Sequence, residues 1–82
     1  MTETELTKAA LVKIVPPEGR KKSYLVMRVP SMPGESVTVT RDKWDDTEPP
    51  EEATDVVIEG LYKHRNGWRA RKARRLLPTD DL

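Results

Sequence analysis

The sequence predicts a small all-β domain, a five-stranded antiparallel barrel of the OB-like or SH3-like kind. Three observations carry that expectation. Short runs rich in Val and Ile alternate with polar residues at the period of a strand. Clusters of Pro and Gly punctuate these runs at the spacing of β-turns. A chain of 82 residues holds one modest core and no second domain. Five short strands of this kind shed their exposed edges by curling into a barrel.

Residues 1–7 alternate Thr and Glu and read as a flexible N-terminus. The first strand runs from Lys8 to Val15 and stops at Pro16-Pro17, where two ladder donors are missing. Pro17-Glu18-Gly19 is turn chemistry, and Arg20-Lys21-Lys22 places a small basic cluster at the tip. Strand two, Ser23 to Val29, puts Tyr24, Val26 and Arg28 on one face and Leu25, Met27 and Val29 on the other. After the turn at Pro30–Gly34, Ser36 to Thr40 is the cleanest alternation in the chain, with Val37 and Val39 inward.

Trp44 is assigned to the core or to a short helical turn. Residues 45–55 carry six acids, no base and a Pro-Pro pair, which predicts an extended or mobile acidic loop. Asp55 to Glu59 is a fourth strand, and Asn66-Gly67 signals a tight hairpin turn, since both residues tolerate positive φ. Two readings compete for the last element. As a strand, the segment from Trp68 needs a bulge near Lys72-Ala73. As a helix, Ala70, Ala73 and Leu77 keep a helical spacing among good helix formers. The strand is preferred, because four strands alone would leave an open edge. The domain so defined spans residues 8–78, with 79–82 as a tail.

The formal charge of +1 conceals a segregation by sign. Residues 1–59 hold eight bases against 12 acids, whereas residues 60–78 hold seven of the 15 bases and no acid. Those seven are Lys63, Arg65, Arg69, Arg71, Lys72, Arg74 and Arg75. A one-sided distribution of this sort points to a local face for a polyanion.

Strand order, a long loop between strands three and four, and a last strand beginning Gly67-Trp68-Arg69-Ala70-Arg71-Lys72-Ala73 resemble the small OB-fold proteins, the cold-shock type in particular. The resemblance is architectural and spans roughly residues 8–77. It implies a nucleic-acid-binding barrel with Ala70 as the small core-facing residue of the last strand. The family's aromatic motifs on strands two and three are not repeated here, where the chain has no Phe and offers Tyr24 alone.

The expected function is a small module that binds RNA or DNA, single strands favoured, largely without regard to sequence. Lys63, Arg65, Arg69, Arg71, Lys72, Arg74 and Arg75 are candidates for phosphate contacts, with Arg20, Lys21 and Lys22 as an outlying set. Four aromatics, Tyr24, Trp44, Tyr62 and Trp68, carry rings able to stack on bases. Tyr24, between Lys22 and Arg28, is the best exposed candidate, Trp68 the second, and Trp44 is assigned to the core. The alternative is a protein-interaction module docking on a larger complex through a sheet edge and its charged segments.

Other classes find no support. There is no Cys, and His64 is the only His, so no metal site or cofactor motif is expected. No nucleophile or phosphate-loop motif suggests an enzyme. The acidic N-terminus and the lack of a long apolar run predict no signal peptide and no membrane span, hence a cytoplasmic protein.

Overall fold

Seven strands form one sheet in the computed structural model, which describes residues 6–65 and 67–80. They are β1 (Leu6–Val15), β2 (Tyr24–Arg28), β3 (Ser36–Thr40), β4 (Thr54–Glu59), β5 (Tyr62–His64), β6 (Gly67–Arg69) and β7 (Lys72–Arg75). A single 3-10 turn, Arg41–Lys43, follows β3. The order across the sheet is β5-β6-β3-β2-β1-β4-β7. Among the described residues no helix is long and apolar enough to cross a membrane.

The first three strands are the meander that the alternation predicts. β1 pairs antiparallel with β2, and β2 with β3. Their joining turn, Glu18-Gly19-Arg20-Lys21, closes with two backbone hydrogen bonds of 3.1 and 2.8 Å, and Gly19 supplies the required positive φ of 58°. β1 begins at Leu6, two residues before the expected start, because Leu6 and Thr7 pair with Glu59 and Ile58 of β4.

A bulge in β1 corrects a sequence that would otherwise face the wrong way. Strict alternation from Leu11 would turn Lys13 inward and Ile14 outward. The register shifts between Leu11 and Lys13, leaving Val12 as the extra residue, 49% exposed. Lys13 then lies opposite Val26, and Ile14 packs on the core opposite Leu25.

The helical reading of residues 69–77 is overturned, since backbone pairing satisfies this segment on both sides. Where five strands, all antiparallel, are expected, the sheet has seven, one pair of them parallel. β6 pairs parallel with β3 (Val37↔Trp68, Thr38↔Arg69), whereas β7 pairs antiparallel with β4 (Ile58↔Ala73, Val57↔Arg74). Only Ala70 and Arg71 separate them. The predicted slip in alternation is real, and it falls where the chain changes partners. Ala70 and Ala73 are both buried, 5% and 1% exposed, so the slip keeps a small side chain in the core on either side of the bend.

The core consists of Ala9, Leu11, Leu25, Met27, Val29, Val37, Val39, Val56, Ile58, Ala70 and Ala73, flanked by Trp44, Leu61, Trp68, Ile14 and Met32. Leu25 and Ile58 are both fully buried, so truncation of either to Ala would cost about 2–5 kcal/mol. At the end of β4, Gly60 takes φ 73°, and a Cβ there would stand 2.9 Å from the aliphatic stem of Arg71. The close approach swings the chain from β4 into the β5–β6 hairpin.

Residues 45–55 are not a free tether. Asp46 accepts the backbone N–H groups of Glu48 (3.0 Å) and Arg75 (3.1 Å), and Glu52 accepts that of Ile14 (2.9 Å) beside the bulge. The Trp44 indole N–H donates to the Glu48 carbonyl at 2.7 Å, and Pro50 is buried. The loop is a strap across β1 and β7, tied down by the Asp46 and Glu52 carboxylates on backbone donors of both strands.

Candidate nucleic-acid interface

Strand register decides which side chains share a face, because directly paired residues project to the same side. On the outer face of β1, β2, β3, β6 and β5, three rows cross the sheet. One is Lys13, Val26, Thr38, Arg69 and Tyr62. A second is Val15, Tyr24 and Thr40, and the third is Ala10, Arg28, Ser36, with Gly67 and His64 paired beyond. None of these positions is Asp or Glu.

The basic β1–β2 turn hangs over one end of this face. Lys21, Lys22, Tyr24, Thr38, Thr40 and Arg69 line an open groove of about 500 Å³. Three separate stretches of chain thus converge on one site. Tyr24 and Arg69 are half-buried, and Lys21 and Lys22 are exposed. Tyr24 rests in the strand by its pairing with Thr40 and Val15, which holds the ring at the groove instead of in the core.

Carboxylates stand only at the margins. Asp42, in the 3-10 turn, approaches Lys22 at 3.9 Å, both side chains well exposed. The Thr40 hydroxyl, then Lys22 and Lys43, hold the Asp42 carboxyl below its ordinary range. So exposed a pair contributes little and yields readily to a phosphate. Glu35 lines the opposite end, next to Ser36.

The expected basic stripe is therefore not one patch. Arg69 faces the groove, and Arg65 lies further along the same face beside Arg69 and His64. Lys63, opposite Trp68, sets its ammonium 5.1 Å from the indole centroid, a cation–π contact that occupies both groups. Trp68 pairs with buried Val37 and packs against the core, so its ring belongs to the core side of the sheet. Arg71 lays its stem over Gly60.

The second half of the stripe meets the protein's own acids. Lys72 comes within 4.0 Å of Asp45. Arg74 makes a bidentate pair with Asp80, 2.8 Å for each bond, and Asp80 also accepts the Leu77 N–H at 2.7 Å. These bonds, the Arg74 guanidinium first and the Leu77 amide second, hold the Asp80 carboxyl down at about 2. Arg75 gives its N–H to Asp46, whose carboxyl is lowered first by the Glu48 amide and further by Arg75. On the outer face of β4 and β7, Glu59 stands directly opposite Lys72.

Arg20, at the second corner of the tip turn, is exposed and lies outside the groove lining. Lys13 and Arg28 are additions to the sequence-derived set. Alternation already placed Arg28 beside Tyr24 and Val26, but the bulge that exposes Lys13 has no signal in a single sequence. Comparison with protein-family models, curated proteins and solved structures finds no match.

Proposed function

We propose that this protein is a small binding module for single-stranded nucleic acid, working through the groove of Tyr24, Arg69, Lys21 and Lys22. The observation that carries the reading is the meeting of those four residues, from two stretches of chain, with Thr38 and Thr40 of a third in one groove whose lining holds no carboxylate. Guanidinium and ammonium groups would neutralise phosphates, and the Tyr24 ring would receive one base. Thr38 and Thr40 add hydroxyls that hydrogen-bond without fixing a base identity, so recognition follows the backbone more than the sequence. The chemistry is binding, not catalysis, and the setting proposed is the cytoplasm.

We further propose that the sheet closes as a five-stranded barrel of OB type, with β6 and β7 the two halves of one bent fifth strand. Their pairings with β3 and with β4, two residues apart in the chain, support that closure. Amide contacts by NMR between Val37 and Trp68 together with Ile58 and Ala73 test it; loss of either set in solution means an open sheet.

Fluorescence anisotropy with labelled single-stranded and duplex oligonucleotides tests the binding. The expected result is preference for the single strand, with log K falling about 0.7 per phosphate contact for each tenfold rise in salt. Indifference to salt would remove the phosphate reading. A second reading keeps one specific support: β5 is an exposed three-residue edge, open to strand addition by a protein partner. Charge reversal at Arg69 separates the two, since edge pairing runs through backbone groups of β5.

A further inference from the structure

We infer that Tyr62 is a second base-stacking position, and that an unpaired strand crosses the sheet from Tyr24 to Tyr62 with an intervening phosphate on Arg69. The inference rests on the nucleic-acid reading and gives the ligand a path and a minimum length. Tyr62 is 44% exposed and paired with Arg69, so its ring emerges on the face that carries the groove. A second depression of about 420 Å³, lined in part by His64 and Arg65, shares Thr38 and Arg69 with the first. Thr38 and Arg69 thus border both. The His64 ring meets that of Tyr62 edge-on, 6.3 Å between centroids at 87°, which restrains a tyrosine otherwise free on a short edge strand.

Spacing then selects the ligand. Three strand-to-strand steps separate β2 from β5 through β3 and β6, about 14 Å in all at the usual ~4.8 Å each. Duplex bases lie about 3.4 Å apart and cover one another's faces, so they cannot serve two platforms this far apart. A splayed single strand can, and about four nucleotides, the low end for such surfaces, suffice to span both rings. The route runs across the strands; Trp68 borders the second depression, but its indole packs against the core and meets the Lys63 ammonium, which leaves Tyr62 as the second platform.

The test is titration of dithymidylate and octathymidylate against the wild-type chain, Tyr62→Ala and Tyr62→Phe. Tyr62→Ala is expected to weaken octathymidylate roughly 5- to 150-fold, the loss of one stacked base, and to leave dithymidylate unchanged. Tyr62→Phe keeps the ring and stays near wild type. Should Tyr62→Ala lose its fold, as circular dichroism would reveal, Tyr62→Leu supplies bulk without a ring and is expected to weaken the longer strand alike. Equal affinity of octathymidylate for wild type and the ringless variants overturns the second platform but leaves the nucleic-acid reading in place. Equal losses in Tyr62→Phe and Tyr62→Ala overturn stacking, because the hydroxyl would then be the contact. If the wild type binds neither oligonucleotide, the nucleic-acid reading itself is lost.

Discussion

β6 and β7 are neighbours in the chain and both carry arginine, yet they meet different company. Arg69 of β6 faces Thr38 and Tyr62 in a cross-sheet row, Lys13, Val26, Thr38, Arg69 and Tyr62, that contains no acid. Arg74 of β7 is clamped by Asp80, and Lys72 stands near Asp45. The two stretches differ little in composition, so composition does not assign their roles. The partner strand does: β3 brings threonines to its neighbour, whereas β4 brings Glu59 and the strap beside it brings Asp45 and Asp46. A run of like charge in sequence becomes two surfaces of opposite character, one open to a polyanion and one internally neutralised.

The sharpest way to break this contrast is charge reversal on each side. Arg69→Glu is expected to lower oligonucleotide affinity by about 100-fold, because a charged hydrogen bond is lost and repulsion added. Lys72→Glu changes affinity by about twofold or less, since that face is screened and already holds acids. Equal losses in the two variants, measured by anisotropy at one salt concentration, would erase the division.

The bend between the halves comes next. Ala73 is 1% exposed, and Ala73→Leu should cost about 1–3 kcal/mol in urea denaturation through overpacking. Its effect on affinity for the surviving folded protein should be slight, as β7 is not part of the groove. Smaller still is the change in salt dependence. Arg69→Ala should flatten the slope of log K against log salt by about 0.7, and Arg74→Ala should leave it as it was.

The last comparison uses acid. The Arg74 guanidinium and then the Leu77 amide hold the Asp80 carboxyl down at about 2, against an ordinary 3.8. A lowered carboxyl contributes stability that is present above about pH 4 and is lost as pH falls towards 2. In Asp80→Asn that part of the acid limb disappears, and the unfolding midpoints of variant and wild type draw together near pH 2. At neutral pH the variant is the less stable of the two but binds oligonucleotide as before. A drop in affinity would tie the clamp to the groove.

Much of the fold is legible in the residues themselves. Alternation places Leu25, Met27, Val37 and Val39 inward, Pro16-Pro17 ends the excursion after β1, and Gly19 and Gly34 mark turns with positive φ. Gly67, expected within the turn, opens β6, and Arg65 takes the positive φ instead. What is not legible is long-range. The parallel pairing of β3 with β6 turns Trp68 to the core, and no property of Gly-Trp-Arg announces it. Asp46 and Glu52 look like surplus charge in the sequence, but each caps a backbone N–H from a strand remote in sequence. At the site, Tyr24 is apparent from its strand. Lys13 depends on a register shift, and the division of the basic segment depends on which acids fold back onto it.

Gly60 has a consequence beyond its turn. Its lack of a side chain lets the stem of Arg71 lie against the backbone just ahead of Tyr62. The aim of the β5–β6 arm is thus governed from a position that touches no ligand. In a lineage descending from this chain, the residue at 62 is free to drift among rings and retune what is held, whereas replacing Gly60 would swing the whole arm at once. Variation in taste and constancy in posture are the pattern that such an arrangement should leave behind.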